Sequence, residues 1–386
     1  MNSALALLAS AAFAAAALAA EPPDRIVLNL EPTAANPRNS EGAFVALKSG
    51  RIAFYFSQFY GSYLGDYTNA RIAEIHSDDG GASWSASRPV IERGDNQNVM
   101  SASVLRLASG RLALVYGVKK NWLDCHPVVR TSADEGQTWS EPAPIVEAPG
   151  YFVLNNDRVI QTRSGRMIAP VAFHRLRSTV NEPARSWDPR AIELWYTSDD
   201  EGATWREAPT WWALPVETQS GLQEPGVVEL ADGSLLGWAR TDQGTQFVQR
   251  SADGAQSWSP PEPGPLKSPL SPAAIKRVPG SADLLAVYND HSGRFPYPKV
   301  HPLYGGRAPL AVTLSHDGGR TWPAARVIEA DLRGQYSYPA IHFSGDSVLV
   351  AYLHGDGDND AMGPPKSRLR IRKIDLGWVG SAAPGR

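Results

Sequence analysis

The chain has 386 residues, enough for one large repeat domain or two ordinary ones, and its net charge of −3 offers no basic stripe for nucleic acid. The single cysteine, Cys125, excludes an internal disulfide, and no Cys/His cluster stands at zinc-ligand spacing, so neither a metal nor a cofactor is implied. Twelve Trp, 13 Tyr and 10 Phe beside 34 Gly and 31 Pro suit an all-β protein of short strands and many turns.

Residues 1–20, MNSALALLASAAFAAAALAA, read as a processing signal. An apolar run ends in Ala17-Leu18-Ala19, a small-x-small cleavage site, and polar EPPDR follows, although no Lys or Arg precedes the run. The expectation is an exported protein, periplasmic or secreted, whose mature domain spans residues 21–380. No later stretch approaches the roughly 18 apolar residues of a membrane span.

DRIVLNL, from Asp24 to Leu30, is the first strand candidate and has no hairpin partner nearby. Six hairpin signals follow, each an alternating apolar strand, a glycine-containing turn and a second apolar strand. They read FVALKSGRIAFYF, VLRLASGRLALVY, VIQTRSGRMIAPV, VVELADGSLLGWA, AIKRVPGSADLLAVY and AIHFSGDSVLVAY, with turn glycines at Gly50, Gly110, Gly165, Gly233, Gly280 and Gly345. A short phrase follows each of the first five: SDDGGASW from Ser77, SADEGQTW from Ser132, SDDEGATW from Ser198, SADGAQSW from Ser251 and SHDGGRTW from Ser315. The phrase is a tight-turn former, in which the Asp carboxylate accepts backbone N–H bonds, Gly supplies positive φ and Trp folds back as an apolar plug. A unit recurring at this period must bury its apolar face against its neighbours. After the sixth hairpin comes one more strand, RLRIRKIDL from Arg368 to Leu376, which the unpaired N-terminal strand can complete. The pattern predicts a six-bladed β-propeller of four-stranded antiparallel blades, the last closed by strands from both chain ends.

The first strand of each propeller blade lies innermost, so equivalent positions converge on the axis. Nine residues before each turn glycine stand Glu41, Ser101, Asn156, Glu224, Ser271 and Tyr336, all polar where a buried strand should be apolar. Such a ring is costly unless it binds something or holds water. Small polar residues filling a wet channel account for Ser101, Asn156 and Ser271 as well as binding does, whereas Glu224 with Tyr336 makes a titrating pair.

On these residues the chain resembles the sialidases (neuraminidases), six-bladed propellers that carry Asp-box turn phrases. The resemblance spans essentially all of residues 21–380. The segment QEPGVVELADGSLLGWAR is similar to the family element with a catalytic Glu and a substrate-binding Arg, which implies those roles for Glu224 and Arg240. RAPLAVTLS implies a second carboxylate-binding arginine at Arg307, Tyr336-Ser337-Tyr338 implies the nucleophile at Tyr336, and YLGDYTNARIAEIHS implies the acid/base at Asp66. The family's first arginine is matched only by Arg38 in NPRNSEGAF, two or three residues early, with Glu41 in the axial position; Arg158 in LNNDRV is a substitute, and Asn156 adds a polar group.

The implied activity is release of a terminal acidic sugar from a glycan, with retention. A neutral phenol attacks a carboxylate-bearing anomeric carbon better than an anionic carboxylate does, and sialidases are the tyrosine exception among glycosidases. Glu224 would serve as base to Tyr336, Asp66 as acid and then base, and the arginines would clamp the substrate carboxylate. Two other readings stand beside it: a uronate-glycan hydrolase or polysaccharide lyase, which would want a His or Lys base, and a non-catalytic glycan-binding propeller.

Overall fold

The computed structural model describes residues 23–61, 65–215, 217–296, 306–355 and 367–381, so the leader expected at residues 1–20 lies outside the described residues. The fold is all-β, and among the described residues two short helices, Pro183–Ser186 and Leu376–Gly380, interrupt the strands. Among the described residues no helix is long and apolar enough to cross a membrane.

All six hairpins form as antiparallel pairs. Arg38–Ala46 pairs with Ile52–Tyr60, Asn98–Arg106 with Leu112–Asn121, and Ile160–Gln161 with Met167–Leu176. Gln223–Glu229 pairs with Leu235–Arg240, Ala274–Arg277 with Leu284–Asn289, and Gln335–Ser344 with Ser347–Gly355. Each second strand pairs onward with the strand that leads into a turn phrase or, in the sixth unit, with Ser367–Asp375. The N-terminal strand Asp24–Leu30 lies antiparallel on Ser367–Asp375, with Asp24 opposite Ile374 and Leu30 opposite Leu369, so residues from both ends of the chain share one sheet.

Alternation places one apolar face of each unit against the next unit. Val45 and Tyr55 of the first pack on Val104 and Leu114 of the second; Val115 and Val129 pack on Met167 and Val171 of the third. Ile168 and Trp195 meet Val227 and Leu235 of the fourth, Leu236 and Trp238 meet Ile275 and Leu284 of the fifth, and Val287 and Val312 meet Ile341 and Val350 of the sixth. Ala340, Leu349 and Ile371 of the sixth unit then pack on Phe44, Phe54 and Phe56 of the first. No unit has a core of its own; the core is the set of seams between them.

The turn phrases seal those seams. In the first, the Ser77 hydroxyl donates to Asp79 Oδ1 at 2.7 Å and accepts from Gly81 N–H at 2.8 Å, while Asp79 accepts from the Ser83 N–H at 2.9 Å and the Ser83 hydroxyl at 2.6 Å. The same net recurs around Asp134, Asp200, Asp253 and Asp317. Hydrogen bonds to the ionised form hold Asp134, Asp200 and Asp317 down at about 2. The phrase tryptophans reach back across the seam: Trp84 packs with the sixth-unit cluster, Trp139 with the first unit's Tyr55, and Trp258 on Trp195 at 3.8 Å between ring centroids. The second glycine fits the same close approach, because a Cβ on Gly81 would stand 2.6 Å from Leu349 of the preceding unit.

One departure from the hairpin pattern organises the molecule. In the third unit the first strand shrinks to Ile160–Gln161, and the residues before it, Asn155-Asn156-Asp157, reach every other unit. Asn155 Nδ2 donates to Glu224 Oε2 of the fourth unit at 2.9 Å. Asn156 Nδ2 donates to the carbonyls of Gly42 in the first unit (2.9 Å) and Tyr338 in the sixth (3.3 Å). Asp157 N–H donates to Ala102 of the second unit; its carboxylate takes Lys276 Nζ of the fifth at 2.7 Å and the Ile341 N–H of the sixth at 3.1 Å. Asp157→Ala should remove about 2–3 kcal/mol of stability, less than the ~3–5 kcal/mol of a fully buried broken pair because Lys276 keeps a third of its side chain exposed. Equilibrium urea unfolding checks this, and an unchanged midpoint would contradict it.

A second buried carboxylate serves no such purpose. Glu193 is fully buried between the third and fourth units; one oxygen accepts from Gln249 and the other, Oε1, has no partner among the described residues. Burial pushes it up to about 8, against the Gln249 hydrogen bond. The folded state therefore holds this proton more tightly than the unfolded chain, so its stabilising effect is complete below about pH 4.5 and is lost as pH rises to about 8. Glu193→Gln should raise the thermal midpoint by several degrees at pH 8 and by much less at pH 5; melting curves at both pH values measure it.

Candidate functional site

Five non-glycine residues hold a left-handed backbone near the start of a hairpin: Glu41 (φ 51°), Ser101 (63°), Asp157 (57°), Glu224 (47°) and Tyr338 (56°). At four of them the strand register slips, between Ser40/Gly42, Met100/Ser103, Gln223/Gly226 and Ser337/Ala340. These are β-bulges, in which an extra residue re-aims its side chain at the cost of a strained φ, on the order of 1–3 kcal/mol each. Glu41, Ser101, Glu224 and Tyr338 all line one cavity, together with Asp66, Lys119, Gln223, Arg240 and an aromatic wall.

The carboxylates in and around it are each met by a guanidinium. Arg240 Nη1 lies 3.1 Å from Glu224 Oε2, and its Nε and Nη2 both donate to Gln223 Oε1, at 3.1 and 2.9 Å. Arg38 is fully buried over the Phe59 ring and bonds two carboxylates: Nη2 to Glu41 Oε1 at 2.7 Å and Nη1 to Asp66 Oδ1 at 2.6 Å. Glu41 Oε2 also accepts from the Ser101 hydroxyl at 2.7 Å. Burial pushes Glu41 up to about 7 even against Arg38. Asp66 keeps half of its side chain exposed; burial of the rest would raise it, but Arg38, Lys119 and Arg307 hold it below its ordinary value. The Tyr338 phenol is pushed up by burial and by Glu224, and pulled back by Arg307 and Arg240. Arg307 stands over the Tyr338 ring, 5.5 Å from its centroid.

The structure moves four expected residues. Tyr336 is not in the cavity: it is buried in the seam between the fifth and sixth units, edge-on to His354 (5.0 Å) and Tyr352 (6.3 Å), with its N–H on the Arg307 carbonyl. Tyr338 takes the equivalent position. The reason is the turn: the first hairpin closes through residues 47–51 between the pair Ala46 and Ile52, whereas the sixth closes through Gly345-Asp346 between Ser344 and Ser347. Counting nine back from Gly345 therefore overshoots the bulge by two residues. Arg158 is also off the cavity wall. Its guanidinium is fully buried 5.4 Å from the Trp238 ring, and burial pulls it down to about 10 despite the nearby Glu224 and Asp157. Asn156 faces backbone carbonyls as a structural staple. Ser271 likewise stays off the wall, donating to Asn289 Oδ1 at 2.5 Å.

Glu41, Glu224, Asp66 and Arg240 are brought together in the cavity, and Arg38 and Arg307 reach its groups from behind, Arg38 despite its early position. Residues 50–354 match the model of the BNR repeat-like domain family. The chain belongs to the BNR repeat-like domain family. No curated protein sequence matches it significantly. Among solved structures it is similar to a Dyadobacter fermentans protein of unknown function (18% identity, TM-score 0.67, covering 92% of this chain and all of that one). It is similar to the Hadza microbial sialidase Hz136 (18%, TM-score 0.65, 88% of this chain and 66% of that one). It is also similar to the intramolecular trans-sialidase of Ruminococcus gnavus, solved with oseltamivir carboxylate (13%, TM-score 0.69, 92% and 98%).

Sequence reasoning assigned no role to several groups that this BNR repeat-like chain brings to the cavity. Asn155 holds Glu224, and Gln223 holds Arg240. Lys119 sits fully buried under Trp122, 3.5 Å from the ring centroid. Trp122, Tyr151 and Trp187 lie parallel within 5.7–6.3 Å, and His174, which burial lowers to about 4, stands edge-on to Trp187. Only Tyr338 carried a usable signal, since it lies in the same Tyr-Ser-Tyr motif as Tyr336. Among the described residues no group of three or more His, Cys, Asp or Glu is placed to hold a metal.

Proposed function

We propose that the chain is an exported, retaining exo-glycoside hydrolase of sialidase type that releases a terminal acidic sugar, with Tyr338 as nucleophile. The six hairpin units are then blades of a closed propeller, and residues 1–20 are removed on export. The observation that carries the reading is the convergence of Tyr338, Glu224, Arg240 and Asp66 on one cavity.

The chemistry follows from the charges. Arg240 and Arg307 flank the Tyr338 phenol, and with Arg38 they offer charge-assisted bonds to a substrate carboxylate. That carboxylate sets the anomeric carbon beside the neutral phenol. Tyr338 oxygen bonds to the anomeric carbon as Glu224 takes the phenolic proton; the bond to the leaving oxygen breaks as Asp66 supplies a proton. Water then attacks the anomeric carbon and gives its proton to Asp66, the bond to Tyr338 breaks, and the phenolate recovers its proton from Glu224. Two inversions give net retention. Before substrate binds, Arg38 keeps Asp66 ionised. A substrate carboxylate that shares the Arg38 charge lets Asp66 rise toward the protonated form that the first step needs.

The cavity also holds Lys119 and His174, the residue types a uronate lyase would use as base, so that reading is tested alongside. A fluorogenic α-sialoside assay is the test. The wild type should turn over; Tyr338→Phe should lose kcat on the order of a hundredfold or more with little change in KM, and Tyr336→Phe should stay within a few-fold of wild type. Loss in Tyr336→Phe with retention in Tyr338→Phe would overturn the assignment. An unsaturated product from uronate polymers, with no sialoside turnover, would favour the lyase, and binding without turnover the inert propeller. N-terminal sequencing of the exported protein checks the leader.

A further inference from the structure

Lys119 closes the strand Leu112–Asn121, and its side chain lines the cavity while being only 1% exposed. An ammonium has three N–H donors. One goes to the Asp66 carbonyl at 3.1 Å; no carboxylate lies within ion-pair distance among the described residues, and around it stand the Cys125 thiol on the paired strand and three rings, Trp122 at 3.5 Å, Tyr151 at 5.4 Å and Tyr67 at 5.6 Å. A lysine buried this way is costly, and cation–π contact offsets only part of that cost. Fastening the Asp66 loop does not account for it either. Asn98 Nδ2 already bonds the carbonyls of Asp66 (2.9 Å) and Thr68 (3.0 Å).

The position of Lys119 separates it from Arg240 and Arg307, the clamp arginines beside Tyr338, whereas the third, Arg38, holds the carboxylate of Asp66, whose carbonyl Lys119 bonds. Arg240 and Arg307 belong to the fourth and fifth units, whereas Lys119 and the Trp122 ring form the wall of the second. A sugar whose carboxylate lies between the arginines turns its other ring substituents toward that wall. Trp122 and Trp187 offer a flat apolar face for ring C–H groups, and Lys119 offers N–H donors beside it.

We propose that Lys119 is a specificity-determining residue that donates hydrogen bonds to an oxygen acceptor, a hydroxyl or an acyl carbonyl, on the part of the acidic sugar remote from its carboxylate. This rests on the acidic-sugar reading of the cavity and narrows it. The substrate class becomes acidic sugars that carry such an oxygen, and uncharged stubs bearing only hydrogen there are rejected. Burial lowers the proton affinity of Lys119, against the pull of Cys125, Asp66 and Glu41, so the ammonium is held at the expense of stability.

Isothermal titration calorimetry with free N-acetylneuraminate and with analogues that each lack one ring hydroxyl or the acyl group separates the possibilities. Lys119→Met keeps the side-chain length, and its fold is checked by circular dichroism and thermal melting. It should bind the parent sugar roughly 10- to 100-fold more weakly, as expected for a lost charge-assisted hydrogen bond, with a thermal midpoint equal to or above wild type. One analogue, already weak on wild type, should lose nothing further on Lys119→Met, which identifies the contacted oxygen. Equal binding by wild type and Lys119→Met, or a uniform loss across all analogues, would overturn the proposal while leaving the hydrolase reading intact. Wild type that binds no acidic sugar overturns both. Should Lys119→Met not fold, Lys119→Gln is compared in the same panel with the same two outcomes.

Discussion

Everything at the cavity depends on Asn155-Asn156-Asp157, three polar residues that interrupt the third hairpin and bond to all five other units. Seams between apolar faces set how neighbouring units pack, but they do not stop inner strands from sliding along the seam. Directional bonds from one short segment do. Asn155 sets the height of Glu224, Asn156 that of the Tyr338 backbone, and Asp157 that of Ile341 beside it. The hub thus places two groups from different units against each other, and both groups stand on strained bulges that packing alone would relax.

Ion pairing within the cavity wall is how a pocket this charged is tolerated. Arg38 divides itself between Glu41 and Asp66, and Arg240 between Glu224 and Gln223. Each pairing offsets part of the burial cost within the protein, so a bound carboxylate exchanges partners with the arginines rather than meeting bare charge. Glu41, raised to about 7 by burial, is the member of this network nearest to its titration point at neutral pH. It touches Arg38 and Ser101 and so tunes how firmly the first arginine is held.

The turn nets and the cavity are built from different residues. The turn phrases lie at the seams, where Ser, Asp and Gly build the same net five times and Trp closes the gap to the preceding unit. Nothing in that net faces the cavity. The residues that differ between units are the inner ones: Glu, Ser, Asn-Asp, Glu, Ser and Tyr at matching places in otherwise similar strands. Repetition supplies the scaffold, and divergence at the matching position brings Glu41, Ser101, Glu224 and Tyr338 to the cavity, while in the third and fifth units it serves the structure.

The amino-acid order by itself determined the six hairpins, the five turn nets and the pairing of Asp24–Leu30 with the last strand, because alternation and turn chemistry are local signals. Spacing to the turn glycines also singled out Glu41 and Glu224, whose distances from regular turns were preserved, while Asp66 and Arg240 were reached through the motifs of the family resemblance. Tyr338 in place of Tyr336 was decided by a shorter turn in one hairpin, and a two-residue shift in a strand leaves the alternation pattern intact and so leaves no trace in it. The fate of Arg158, the reach of Arg38 and the burial of Lys119 beneath Trp122 belong to tertiary structure alone, since each depends on which unit lies across the seam or the cavity. Spacing along a chain records which face a residue takes; only the closing of the units on one another records what that face meets.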